Sequence, residues 1–526
     1  MRSAVKRCLA VMAMAVAGAA WGQVTGTPGA PGPAPVAAPA SAPSADLLAS
    51  RKYAEALAAA ELILQKEPGN LDQAAVKIQA LLGLGRTMEA LRFAVPLSGQ
   101  HPERPQFRFL AGQAAFQEGM VPQAVQVWSA LRSNPDPAWS LLGYRASAQA
   151  LLAVGKVAEA RNLVAEAMAK GAAPSLPLAR LALETAPDAA SALGTIDRVI
   201  ASSPENKDDW SALKTIMASV QGGLFAESPA GAAPLVIPIK EKSERINIPA
   251  WGTEDQYASA VTLSSGSRVT VPVTAGGKKQ WMLLDSGSDV VLLTSAFARD
   301  LGLKPVATAE YLGLGYKGAM KSGWVVVPAL TVGELEFKNV PAMIIDKDTD
   351  FWKELGGILP LSMFRRHAIL YDRRHEKLTL YPAGTQPESV LGGTFFSLKS
   401  LWFNGQPFVL AQIKGQPNLP CLVDTGASST YLAAEFAQTL GVKVNSGKYA
   451  NQYSRGMSGG FSSGTAEQVE IQLGAARFQL PTVLVTSLGQ NDAMPCYGIV
   501  GRDILDNFQV FFDYPGNALA IKAYDR

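Results

Sequence analysis

Two triplets in this 526-residue chain have residue types suited to acid–base chemistry: Asp285-Ser286-Gly287 and Asp424-Thr425-Gly426. Each carboxylate ends an apolar run, Trp281-Met282-Leu283-Leu284 in one case and Cys421-Leu422-Val423 in the other. Small residues suited to a tight turn follow each run. Two carboxylates brought together share one proton, so that one serves as acid and the other as base. A lone triplet of this kind arises by chance in on the order of a third of chains this long, usually as an Asx-type turn. Two in register need another explanation.

The register extends well beyond the triplets. Asp285 and Asp424 are 139 residues apart, as are Gly302 and Gly441, each closing a short helical pattern. Gly333 and Gly474, Gly357-Ile358-Leu359 and Gly498-Ile499-Val500, and Asp372 and Asp513 keep a separation of 141. Short alternating runs broken by Gly-Gly, as in "SRVTVPVTAGGKKQWMLLD", read as strands and hairpins. The pattern predicts a duplicated, mainly β unit, with one lobe over 251–388 and a second over 389–526.

With these residues in hand, the C-terminal half resembles the aspartic proteases, and their retropepsin-like branch more closely than pepsin. The resemblance rests on Asp285-Ser286-Gly287, Asp424-Thr425-Gly426 and "YGIVGRDIL" at 497–505. It implies a single-chain, two-lobed fold in which Asp285 and Asp424 are the catalytic pair acting through a shared water. Ser286, Gly287, Ser288, Thr425, Gly426 and Ala427 are implied as the supporting loops. The Ser286 and Thr425 hydroxyls would cross to the partner loop, and the two glycines would allow an approach that a Cβ blocks. Gly-rich segments at 311–324 and 453–466 stand where flaps would close on a substrate. Their candidate tip residues are Gly315, Tyr316 and Gly318 in the first, and Gly456, Met457 and Gly459 in the second. Two departures from symmetry stand out. Pro360 occupies the position of Gly501, which predicts altered support beneath Asp285 because proline lacks an N–H. Ser288 faces Ala427 across the duplication, which predicts unequal affinity of the two carboxylates for the proton. The resemblance also places Cys421 close enough to Cys496 to expect a disulfide in an oxidising compartment.

The N-terminal half has a different period. Ala56, Ala90, Ala124 and Ala160 recur at separations of 34, 34 and 36, and Pro68, Pro102 and Pro135 recur in step. A period near 34 with small residues at helix crossings resembles the tetratricopeptide repeat and implies an all-α solenoid over 46–220, a surface for a protein partner or substrate. Residues 221–250, with "GGLFAESPAGAAP", read as a linker. Residues 23–45 read as a disordered Pro/Ala-rich tether. Residues 1–22 read as a signal peptide: Arg2, Lys6 and Arg7 precede an apolar run, and Ala20-Trp21-Gly22 has the form of a cleavage site.

Composition narrows the function classes. Net charge is +3 with 17% charged residues and no basic run, so nucleic acid is not expected as a partner. No span is expected after signal cleavage, and the protein reads as exported, to a periplasm or beyond. Neither a metal nor a cofactor is expected: three histidines, His101, His367 and His375, offer no His-based zinc site. His367 and His375 read as surface residues. The expected function is an aspartic endopeptidase acting on peptide or protein substrates, with the helices recruiting a substrate or partner. The alternative is a catalytically inactive protease fold that grips a peptide.

Overall fold

The computed structural model describes residues 43–170, parts of 178–202, 234–243, 267–311, 320–345, 354–445, 452–486 and 495–524, apart from isolated positions within these ranges. The segments read as signal peptide and most of the tether lie outside the described residues, as does most of the linker.

The helical half is a stack of antiparallel helices in which each packs on the next: Pro43–Ala49, Tyr53–Lys66, Leu71–Gly83, Thr87–Gln100, Pro105–Gln117, Val121–Arg132, Pro137–Leu152 and Val157–Ala169. The periodic alanines Ala56, Ala90, Ala124 and Ala160 are all 0% exposed, because only a methyl fits where the helices cross. Three turns in the stack end on glycines with positive φ, Gly85 (68°), Gly119 (69°) and Gly155 (75°), which cap the preceding helices in the left-handed conformation. The helix at Ala189–Ser202 follows this stack.

The β half is two lobes built to one strand order. In the first, the sheet runs Lys240–Ser243, Ser267–Ala275, Lys278–Asp285, Gly357–Pro360, Val291–Thr294, Leu335–Ile345, Met320–Val332, Ala307–Tyr311. The second repeats it: Ser400–Phe403, Gln406–Ile413, Gln416–Val423, Gly498–Val500, Tyr431–Ala433, Ala476–Thr486, Gly459–Leu473, then Val444–Asn445. A third, six-stranded sheet joins the lobes in the symmetric order Leu235–Pro238, Lys377–Tyr381, Ala368–Asp372, Phe508–Asp513, Ala518–Ala523, Phe396–Leu398. One core runs through all three sheets, from Ile237 to Ile521.

One expectation is corrected here. The segment read as linker contains two strands, Leu235–Pro238 at an edge of the joining sheet and Lys240–Ser243 at an edge of the first lobe. The helical array packs directly against the β half. It is docked on the outer face of the second lobe, where Leu401, Phe403, Phe408 and Leu410 share an apolar cluster with Phe116, Val121, Trp128 and Leu131.

Candidate active site

Both triplets sit where two parallel strands meet. Met282 to Asp285 run parallel to Gly357 to Pro360, and Cys421 to Val423 run parallel to Gly498 to Val500. The chain turns sharply after each aspartate, and the carboxylate organises its own turn. Asp285 Oδ1 accepts from the N–H groups of Gly287 (2.7 Å) and Ser288 (2.9 Å). Asp424 Oδ1 accepts from Gly426 (2.7 Å) and Ala427 (3.1 Å).

The two loops then lock to each other. Ser286 Oγ donates to Val423 O (2.7 Å) and accepts from Thr425 N (3.0 Å). Thr425 Oγ1 donates to Leu284 O (3.1 Å) and accepts from Ser286 N (3.0 Å). Both hydroxyl residues are fully buried, so each of these bonds is made in a dry setting where leaving it unmade would cost about 1–3 kcal/mol. The glycines are needed for space: a Cβ on Gly287 would lie 2.6 Å from Asp424 Cγ, and one on Gly426 would lie 2.6 Å from Asp285 Cγ. The structure therefore brings Asp285, Asp424 and the loop residues Ser286, Gly287, Ser288, Thr425, Gly426 and Ala427 together in one cluster.

The carboxyls of Asp285 and Asp424 lie within reach of each other, so that a proton on one can be hydrogen-bonded to the other. Both residues keep some exposure, yet burial is the first cause raising each above the usual carboxylate range. Asp285 is pushed up well above it, further driven by the charge of Asp424 and by the hydrogen bond. Asp424 rises less, because the bond from Asp285, the backbone N–H groups and the Arg502 guanidinium all favour its charged form.

Ser288 does not create this asymmetry. Its hydroxyl donates to Val290 O (3.1 Å), and only its backbone N–H touches Asp285. Arg502 is a charged neighbour that differs between the lobes, and the smallest of the influences named on Asp424. It is 3% exposed and donates its N–H to Ala427 O (2.9 Å), whereas Leu361 stands at the matching position of the first lobe. Next to it, the Asp503 carboxylate accepts from Thr430 N (2.9 Å) and Thr430 Oγ1 (2.6 Å), holding the far end of the Asp424 loop. Residue-type reasoning missed both, although they lie inside the "GRD" of the quoted motif. Gln406 was also missed; its Nε2 donates to Gly287 O from the second lobe.

Pro360 does not break the support beneath Asp285, against the expectation. In the second lobe Gly501 N donates to Thr430 Oγ1 (3.2 Å), and a Cβ on Gly501 would lie 2.3 Å from Ser429 O. In the first lobe Val291 replaces Thr430, so donor and acceptor are lost together and the proline orphans nothing. Pro360 keeps its register opposite Asp285 with φ of −69°.

The remaining sites divide. Both flap segments begin as hairpins, Ala307–Tyr311 with Met320–Val332, and Gln452–Gly456 with Gly459–Leu473, the latter placing Gly456 opposite Gly459. Gly315, Tyr316, Gly318 and Met457 lie outside the described residues. No disulfide joins Cys421 to Cys496. Cys421 belongs to the lobe core with Leu419 and Val423, while Cys496 packs in the apolar cluster shared with the helical array, beside Leu422. His367 is buried, 4% exposed, rather than on the surface, and burial lowers its pKa; His375 is the exposed one.

Residues 271–395 and 409–504 match the family model described as aspartyl protease. The matched residues span both β lobes and both aspartate triplets. Among solved structures, an aspartic proteinase from Irpex lacteus aligns over 56% of this chain and 98% of its own, at 12% identity and a TM-score of 0.34. No curated protein matches the sequence. No helix among the described residues is long and apolar enough to cross a membrane.

Proposed function

We propose that this protein is an aspartic endopeptidase whose Asp285 and Asp424 hydrolyse peptide bonds through a water held between them. Asp424, charged, takes a proton from that water; Asp285, protonated, donates to the scissile carbonyl oxygen as the tetrahedral intermediate forms. The observation that carries this reading is the pair of adjoining carboxyls on mutually locked loops, each carboxyl packed against the glycine of the other loop. Preorganisation of this kind lowers the barrier because no loop has to reorder during reaction. The two hairpins would close over an extended peptide. The helices would recruit a protein substrate or partner on surface left free by docking, as the resemblance to tetratricopeptide repeats suggests. The basic and apolar N-terminus supports export to a periplasm or to the medium. The gripping-only alternative rested on Pro360, and the paired loss of donor and acceptor at that site removes its support.

The test is cleavage of a mixed peptide library by the full chain, beside Asp285→Asn and Asp424→Asn. Each variant should lose at least about a thousandfold in kcat/KM while staying folded. Near wild-type turnover in either variant overturns the assignment.

A further inference from the structure

The helical array meets the second lobe through the ends of three alternate helices. Leu71–Gly83, Pro105–Gln117 and Pro137–Leu152 each present their C-terminal carbonyls to it, groups with no partner inside a helix. Tyr497 Oη donates to Leu82 O (2.9 Å) and Gln416 Nε2 to Gly85 O (2.7 Å). Lys399 Nζ donates to Glu118 O. Trp402 N donates to Ala153 O (2.8 Å) and Asn517 Nδ2 to Leu152 O (2.8 Å). The glycine turns after these helices are close-fitted as well: a Cβ on Gly85 would lie 2.7 Å from Phe436, and one on Gly119 2.6 Å from Leu410. At the centre, Glu118 is 3% exposed, and its carboxylate accepts from Thr87 Oγ1 within the array and from Asn418 Nδ2 (2.7 Å) in the lobe.

Tyr497 links this contact to the aspartate loop. It is fully buried, and its ring packs edge-on to Phe436 at 3.7 Å. Its N–H donates to Pro420 O (2.9 Å), and its carbonyl accepts from Ala433 N (3.0 Å). It thereby fastens the base of three strands, those ending at Val423, Val500 and Ala433. The top of the same trio holds the reactive loop, where Asp424 N donates to Val500 O (3.1 Å).

We propose that the helical array is a fixed brace of the second lobe, and that Tyr497 is the positioning residue through which it sets the Asp424 loop. The proposal rests on the peptidase reading for its kinetic consequence. A device of this kind makes proteolysis depend on the array even for peptides too short to touch it. A protein partner that levers the array off would switch cleavage down.

The experiment uses the full chain with Tyr497→Phe, which keeps the ring and removes the donor, and with Asn418→Ala. Two readouts are taken: kcat and KM on a short peptide, per site titrated by a transition-state mimic, and amide hydrogen exchange over 420–425 and 497–500. Tyr497→Phe should lower kcat about tenfold with KM within about twofold, since Tyr497 acts through geometry. Exchange should quicken in both windows, and less so in Asn418→Ala. Unchanged exchange in both variants overturns the brace; quickened exchange with unchanged kcat overturns the positioning role. If wild type cuts no peptide, the peptidase reading fails by itself and the exchange measurement still decides the brace.

Discussion

Strand register puts Phe408 and Leu410 of the second lobe where the first lobe has Thr270 and Pro272. All four side chains stand on the face turned away from the lobe core, to which Val409 and Ala411, or Val271 and Val273, point. In the first lobe Thr270 Oγ1 donates to Lys240 O (3.0 Å), and the strand Lys240–Ser243 is paired beside it. In the second lobe the apolar pair is covered by the helical array. One duplicated unit has kept its inward face in both copies and changed its outward face in one. What the array recognises is that change.

The strongest way to break this comparison is to exchange residues beneath the aspartates. Gly501→Ala drives a Cβ into Ser429 O at 2.3 Å, a backbone atom that cannot swing aside. It should destabilise the protein by about 3 kcal/mol and displace the Asp424 loop, measured by denaturant unfolding and peptide turnover. Pro360→Ala at the matching place should cost under about 1 kcal/mol, because the proline makes no irreplaceable contact. Equal effects would show that the two floors are not built differently.

Next in size is the outer face. Phe408→Ala should cost about 3 kcal/mol through the cavity left under the array, whereas Pro272→Ala should change stability by under about 1 kcal/mol. Thermal unfolding of both variants checks this. A small loss in Phe408→Ala would mean that the array contributes little to the stability of the second lobe.

These asymmetries explain what was legible in the sequence. The inward pattern is duplicated, so offsets of 139 and 141 located both aspartates, their glycines and the paired Gly357 and Gly498. The outward pattern was not. Gln406–Ile413, "QPFVLAQI", is a near-continuous apolar run, which marks a strand buried on both faces without naming what covers it. Leu235–Pro238 was lost for a similar reason: four residues that follow Ala233-Pro234 and end on a proline carry too little alternation to stand out from a linker. Pro360 misled because its counterpart had to be read together with Val291, a residue 69 positions earlier that only the sheet brings near.

The dyad itself predicts opposite signs for activity and stability. Asp285 has a folded-state pKa above its unfolded value, so its contribution is fully present below the unfolded pKa and lost as pH rises through the folded one. Asp285→Asn should therefore raise the Tm near neutral pH and leave it nearly unchanged near pH 3, while abolishing cleavage. A Tm that falls at neutral pH would show that the carboxyl is not strained in the fold.

The smallest effect sharpens the comparison most, because it isolates one charge. On the proposed mechanism activity needs Asp424 ionised and Asp285 protonated, so the acid limb of the pH profile follows proton uptake by the charged pair, and the alkaline limb follows loss of the shared proton. Both limbs should lie above the ordinary carboxylate range, since burial raises both groups. Arg502 is the buried cation on the Asp424 side, and Leu361 is its counterpart. Arg502→Leu copies the first lobe into the second and removes an influence that favours the charged form of Asp424. The acid limb should then move to higher pH by under about one unit, narrowing the profile from its acid side. Thr430 and Asp503 remain to hold the loop, so kcat at the optimum should fall less than for Gly501→Ala. A profile whose acid limb stays fixed would place the source of the dyad's asymmetry in the loop N–H groups rather than in Arg502.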